Sequence, residues 1–170
     1  MVRQLLLAGL SLLQAAAVGA LIVPAGLPEG LYTIPFDSDG TALSAPLRVE
    51  SRGTQGRFEA RQFQRWEARC GVLGQIQIND FTVAKENLQS ECDRGETYQS
   101  NMAVVYSTGR AIAYFCNYDR QNRCTRAEYE EAMLALVGQC GIGAGGEVYL
   151  AAQDKGYGGD NKGESVEICY

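Results

Sequence analysis

The chain contains no histidine among its 170 residues. Histidine is the usual general base near neutral pH and the commonest metal ligand, so its absence excludes Ser-His and Cys-His nucleophile pairs. The six cysteines include no Cys-x-x-Cys pair, which leaves no motif typical of a zinc site. We therefore expect no metal and no cofactor. Any catalysis would have to depend on carboxylates.

Residues 1–20 have the pattern of a secretory signal peptide. Arg3 supplies a short positive region, residues 5–13 form an apolar run, and Val18 and Ala20 are the small residues before the cleavage site. The run is too short to span a membrane. Cleavage after Ala20 would leave 150 residues and would change the formal charge from −5 to −6. We expect a secreted, extracellular protein with no membrane span, and the net negative charge argues against nucleic acid as a partner.

Two regions follow the signal peptide. Residues 21–56 hold all four prolines and no cysteine, which predicts an N-terminal arm, a removed pro-segment or a peripheral hairpin around the turn "DSDG". Residues 57–170 hold all six cysteines and predict a single disulfide-stapled domain. Across the boundary, residues 47–70 carry six Arg and three Glu, which we interpret as a solvated or ion-paired face.

The hydrophobic pattern after Cys70 predicts strands and two helices in a definite order. Residues 71–78 alternate like a strand, residues 79–92 have helical spacing behind an Asn79 cap, and residues 101–118 read as two strands around a turn. A second helix begins at the capping box Thr125–Glu128. Strands at 147–151 and 165–170 close the chain. This order predicts an α+β fold, a split βαβ (βαββαβ) sandwich with two helices on one face of an antiparallel sheet.

That topology also suggests how the six cysteines pair. Cys124 and Cys140 flank one continuous helix and lie too far apart to be joined. Four cysteines would collect at one end of the sheet, and a final strand running back would bring Cys169 to Cys140. We therefore predict the disulfides Cys140–Cys169, Cys70–Cys92 and Cys116–Cys124.

Two features are candidates for ligand contact. The glycine-rich stretch "KGYGGDNKGE" predicts a flexible hairpin loop that presents Tyr157, Asp160 and Asn161, although a plain hairpin connection is the simpler interpretation. Trp66 and exposed tyrosines could provide stacking platforms for sugars. No catalytic motif is present, so we predict no catalytic residue.

The segments "RAIAYFCNY", "EYEEAM" and "DKGYGGDN", with the cysteines between them, resemble small cysteine-rich proteins secreted by filamentous fungi. Some proteins of that group are candidate plant-infection effectors, and others resemble killer toxins with an α/β-sandwich fold. The resemblance covers about residues 70–170 and transfers no site residue. It implies a secreted, non-enzymatic binding protein, effector-like or toxin-like, with a host protein or a cell-wall glycan as its partner. The alternatives are a carboxylate-dependent hydrolase of cell-wall polysaccharide and a carbohydrate-binding module.

Overall fold

The computed structural model of the protein describes residues 19–50, 66–163 and 165–170, with the side chains of residues 72–74 excepted. Most of the predicted signal peptide and the arginine-rich segment up to residue 65 lie outside these ranges, as does the predicted boundary between residues 56 and 57. In chain order the elements are β1 (Leu21–Pro24), β2 (Gly30–Pro35), β3 (Leu47–Arg48), β4 (Glu67–Gln75), α1 (Ile78–Cys92), β5 (Thr97–Tyr98), β6 (Met102–Thr108), β7 (Ala111–Asn117), β8 (Asn122–Arg123), α2 (Arg126–Cys140), β9 (Ala144–Leu150), β10 (Lys155–Asn161) and β11 (Ser165–Ile168).

The central feature of the described residues is a seven-stranded antiparallel sheet with the strand order β3-β2-β6-β7-β10-β9-β4. Each neighbouring pair is antiparallel, so β4 runs parallel to β6, and β7 runs parallel to β9. Helix α1 connects the first of these parallel pairs and α2 connects the second. Two short ribbons, β1-β11 and β5-β8, lie outside the main sheet.

The sheet is covered on both faces, which gives the fold three layers. Both helices pack on one face, where Ala84, Leu88, Tyr129 and Leu136 meet side chains of β7, β9 and β10. The β1-β11 ribbon packs on the other face through Leu21, Val23, Val166 and Ile168. Because side chains alternate between the faces of a strand, a strand covered on both sides is buried along its whole length. All seven residues of β7 are buried.

The α+β prediction is confirmed, and so is the start of the second helix. Thr125 is the N-cap of α2 and its Oγ1 accepts a hydrogen bond from the Glu128 amide at 3.2 Å. Helix α2 ends at Cys140, and its C-cap is Gly141, whose φ of +92° suits glycine. The predicted Asn79 cap of the first helix is wrong, because the N-cap is Gln77.

The structure places the proline-bearing segment inside the fold as far as it is described. Strand β2 pairs with β6 along six residues, and β1 pairs with β11. A hairpin pairing around the "DSDG" turn is present between β2 and β3. Its second strand, β3, is an edge strand with both residues exposed, as a peripheral hairpin requires. Strand β1 is not peripheral, since Leu21 and Val23 are fully buried beneath the sheet. Removing this segment would expose the hydrophobic core between the sheet and the β1-β11 ribbon.

The predicted loop over residues 152–163 is wrong. Residues Lys155–Asn161 form β10, an interior strand between β7 and β9. Its glycines leave room for large neighbours: a Cβ on Gly158 would lie 2.2 Å from Tyr114, and one on Gly159 would lie 2.1 Å from Phe81. These glycines serve close packing of a strand rather than flexibility.

All three predicted disulfides are wrong. The bonds are Cys70–Cys140, Cys92–Cys124 and Cys116–Cys169, and no described cysteine is free. The antiparallel helices bring the end of α1 to the start of α2, which explains Cys92–Cys124. The end of α2 leads into β9, where Gly146 is the partner of Cys70 across the sheet, which explains Cys70–Cys140.

The third disulfide depends on which face of the sheet each cysteine occupies. Cys116 belongs to the core beneath the β1-β11 ribbon, whereas Cys124 belongs to the core beneath the helices. The two therefore lie on opposite sides of the sheet. The last strand, β11, leaves the sheet to pair with β1, and it delivers Cys169 to Cys116.

Candidate functional site

The predicted ligand residue Tyr157 is fully buried on the helix side of β10. Its hydroxyl donates to Glu128 Oε2 at 2.7 Å, and the same oxygen accepts from Lys155 Nζ at 2.7 Å. Tyr157 also packs against Phe115 with ring centroids 5.3 Å apart. These contacts link β10 to the start of α2. The Tyr157 side chain is thus enclosed by the core and does not face a surface ligand.

The predicted residues Asp160 and Asn161 lie at the end of β10, where the chain meets the start of α1. Asn161 accepts from the Gln77 amide at 3.0 Å and donates to the Gln75 carbonyl at 2.6 Å, so it joins β10 to the turn before α1. Asp160 is 1 % exposed and accepts from the Asn161 amide at 2.7 Å. Burial raises the pKa of Asp160 from 3.8 to about 6, partly offset by that hydrogen bond.

Glu147 on β9 is a second buried carboxylate, and the sequence patterns did not identify it. It is 1 % exposed, and it accepts from the Tyr118 hydroxyl at 2.5 Å and from the Cys169 amide at 2.9 Å. Burial raises the pKa of Glu147 from 4.5 to about 7, although both hydrogen bonds and the charge of Arg69 oppose the rise. The only sequence signal for it is a single acidic residue inside the β-rich run "EVYLA".

Glu147 and Asp160 share the face of the sheet that carries the β1-β11 ribbon. Glu147 is paired across the strands with Gly158, so Asp160 is its diagonal neighbour, at a Cα separation of about 7–8 Å for such positions. Glycines form the floor beneath both: a Cβ on Gly156 would lie 2.2 Å from Glu147, and one on Gly145 would lie 2.5 Å from Asp160. Burial raises the pKa of both carboxyl groups, and the Tyr114 ring lies over Gly158 on the same face.

A pocket of about 110 Å³ lies close to Glu147, and its lining includes neither Glu147 nor Asp160. Tyr118 connects the pocket to Glu147, because it lines the pocket and donates to Glu147. The Phe36 and Tyr118 rings meet edge to face, with centroids 6.1 Å apart. Two further carboxylates belong to the lining, which consists of Gly19, Phe36, Asp37, Ser38, Gly40, Asn101, Tyr118, Asp119, Cys169 and Tyr170.

One cluster among the described residues has the ligand types of a metal site, namely Cys116, Glu147 and Cys169. The sulfurs of Cys116 and Cys169 are bonded to each other. A disulfide sulfur is not a thiolate and does not act as a structural metal ligand. With the cysteines oxidised, this cluster offers a metal only the Glu147 carboxylate.

The helix layer carries exposed apolar side chains. On α2, Leu134 is 74 % exposed and Val137 is 42 % exposed, and Ile142 just beyond the helix is 85 % exposed. Leu134 and Val137 are three residues apart, as neighbours on one helix face are, whereas Tyr129, Ala132 and Leu136 are buried against the sheet. We call Ile78, Leu134, Val137 and Ile142 the α2-end surface.

Trp66, the predicted stacking residue, lies just before β4 and is 44 % exposed. No other aromatic residue in the described ranges belongs to the exposed class. A row of exposed rings, which would mark a sugar-binding platform, does not accompany Trp66 in that part of the chain. Nor is any helix there long and apolar enough to cross a membrane.

A comparison of the chain with protein-family models, with curated proteins and with solved structures gives no match. The resemblance to secreted fungal proteins therefore stays a prediction.

Proposed function

We propose that the protein is a secreted, non-enzymatic binding protein, effector-like or toxin-like, that recognises a target protein through the α2-end surface. The observation that carries this proposal is the exposure of Leu134 and Ile142, at 74 % and 85 %. Large contiguous apolar patches on soluble proteins mark interaction sites more often than chance. Three disulfides and a predicted signal peptide support an extracellular site of action.

Three of the four residues of the α2-end surface belong to one uncharged stretch of the chain. Leu134 and Val137 are neighbours on one helical turn. A Cβ on Gly143 would lie 4.0 Å from the Ile78 Cδ1 atom, which brings the loop after α2 beside the start of α1. No charged residue occurs between Glu131 and Glu147. A surface of this composition fits an apolar patch on a folded protein better than a hydroxyl-rich polysaccharide.

We further propose that the fold is a variant of the split βαβ sandwich. Its two parallel crossovers, β4-α1-β6 and β7-α2-β9, place both helices on one face, as that arrangement requires. Here β10 is inserted between β7 and β9. The disulfide-stapled two-helix face would then be a rigid platform for the α2-end surface.

The target surface is tested with three forms of the protein that differ at single exposed residues. Mature protein, Leu134→Glu and Ile142→Glu are used to capture proteins from extracts of candidate hosts, and all are applied to a glycan array. The control is Leu43→Glu, which alters another apolar residue that is 65 % exposed. We expect the mature form and the control to retain the same protein, and both α2-end variants to lose it. Glycan binding that survives in both variants would contradict the proposal.

A second candidate function, hydrolysis of a cell-wall polysaccharide, is favoured by the Glu147–Asp160 pair. A carboxyl group with a pKa near 7 is suited to donate a proton to a leaving group. Release of reducing sugars from glucan, chitin and xylan, abolished by Glu147→Gln, would support it. Activity that is equal in Glu147→Gln would exclude this pair.

A further inference from the structure

The pocket beside Tyr118 is acidic and aromatic, and part of its wall belongs to the segment before the predicted cleavage site. Its lining includes the carboxylates of Asp37 and Asp119 and the rings of Phe36 and Tyr118, with no Lys or Arg. Aromatic faces and carboxylates together favour a cation. Gly19 forms part of the same lining.

Gly19 and Ala20 lie directly against the "DSDG" turn. A Cβ on Gly40 would lie 2.3 Å from the Gly19 carbonyl oxygen and 2.9 Å from the Ala20 carbonyl carbon. That carbon is bonded to the Leu21 nitrogen at about 1.33 Å, which places the nitrogen within roughly 4 Å of the same point. The Leu21 nitrogen therefore lies beside the acidic turn.

The Leu21 backbone is held in this position by the fold. Leu21 pairs with Ile168 in the β1-β11 ribbon, and the Leu21 side chain is fully buried. The turn itself is also fixed, because Asp37 Oδ1 accepts from the Asp39 amide at 3.0 Å and from the Thr41 amide at 2.8 Å. Both bonds use Oδ1, so they leave Asp37 Oδ2 for another donor.

We propose that the pocket is the binding site for the α-ammonium group of the mature chain. A signal peptidase adds water across the Ala20–Leu21 bond, which leaves a carboxylate on Ala20 and an amine on Leu21 that takes up a proton at neutral pH. Departure of the signal peptide removes Gly19 from the pocket lining and leaves its space empty. The new ammonium group then pairs with Asp37 and Asp119 against the ring of Tyr118. This inference is independent of the proposed target surface, which lies on the helix layer.

The test uses mature chains that begin at Leu21, one with a free amine and one with an Nα-acetyl group. The α-amino pKa is measured by the pH dependence of acylation at Leu21, and the melting temperature is measured at pH 7 in low salt. Asp119→Asn removes one of the lining carboxylates. The matched control is Glu86→Gln, an exposed residue of α1 that carries the same charge.

We expect the α-amino pKa of the free chain to lie about one unit above its ordinary value of about 7.7–8.0, and Asp119→Asn to reverse at least half of that rise while Glu86→Gln leaves it unchanged. The acetylated chain should melt several degrees lower than the free chain. An ordinary α-amino pKa, or equal melting temperatures, would overturn the proposal. So would N-terminal sequencing of the secreted protein that gives a first residue other than Leu21.

Discussion

The Tyr118 hydroxyl donates a hydrogen bond to Glu147 at 2.5 Å, and through it a half-buried ring in the pocket wall holds a fully buried carboxyl group. The same carboxyl group also accepts from the amide of Cys169, which is bonded to Cys116. Glu147 thus links β9 to Tyr118, which follows β7, and to Cys169, which follows the final strand.

Stability should fall as the pH rises from about 4.5 to about 7. Burial raises the folded-state pKa of Glu147, so in this window the folded protein holds a proton that the unfolded chain releases. Asp160 adds a similar effect up to about pH 6. For Glu147 the full effect is on the order of 3 kcal/mol.

Replacement of Glu147 by Gln tests this pH dependence. Gln does not titrate. Its one carbonyl oxygen can accept from the Cys169 amide, and its NH2 group can donate to the Tyr118 hydroxyl with the direction of that hydrogen bond reversed. The loss of stability between pH 6 and pH 7 should therefore largely disappear. Urea unfolding at pH 5, 6, 7 and 8 measures it, with Glu86→Gln as the control for a change of net charge. Equal slopes in Glu147→Gln and in the unmodified protein would show that Glu147 does not titrate in this range.

Gly158→Ala should destabilise the protein. The added Cβ would lie 2.2 Å from Tyr114. The Tyr114 hydroxyl is held in place because it donates a hydrogen bond to the Gly146 carbonyl at 3.0 Å. Overpacking of this kind costs about 1–3 kcal/mol or more. The matched control is Gly138→Ala in α2, where nothing lies within 4 Å of the added Cβ, and helix propensity predicts a gain of up to about 1 kcal/mol. Thermal unfolding of both variants distinguishes a packed strand from the loop that the sequence predicted, which would tolerate alanine at residue 158.

Leu21→Ala should destabilise the protein by about 2–5 kcal/mol, because the side chain is fully buried in the core beneath β1. Its neighbour Ile22 is 59 % exposed, and Ile22→Ala should change stability by less than about 0.5 kcal/mol. Denaturant unfolding of the two variants compares adjacent residues on opposite faces of one strand. Equal, small effects would mean that the first strand does not belong to the core and is a removable arm.

Non-reducing peptide mapping should recover the linkages Cys70–Cys140, Cys92–Cys124 and Cys116–Cys169. Removal of a native disulfide typically costs about 2–5 kcal/mol. Replacing Cys116 and Cys169 together by alanine should cost more than replacing Cys70 and Cys140, because the first pair is 0 % and 2 % exposed and would leave a cavity. A Cys116–Cys124 peptide would refute the assignment of these residues to opposite faces of the sheet.

Local patterns alone were enough to predict the α+β class and several elements. Thr125 followed by Glu128 marks a helix start through hydrogen bonds that span only three residues. The strands around residues 101–118 are found where the alternation places them, as β6 and β7. These predictions succeeded because their physical causes lie within one turn or one hairpin.

What depends on distant residues was decided only by the tertiary structure. The stretch over Lys155–Asn161 looks like a loop until Tyr114, Phe81 and Glu147 occupy the space above its glycines. Cys116 and Cys124 are eight residues apart in the chain, yet the sheet separates them. The raised pKa of Glu147 likewise follows from its burial beneath the final strand. A glycine in the sequence does not indicate which side chains pack against it, and a cysteine does not indicate which face of the sheet it occupies. Strand order and layer packing determine both.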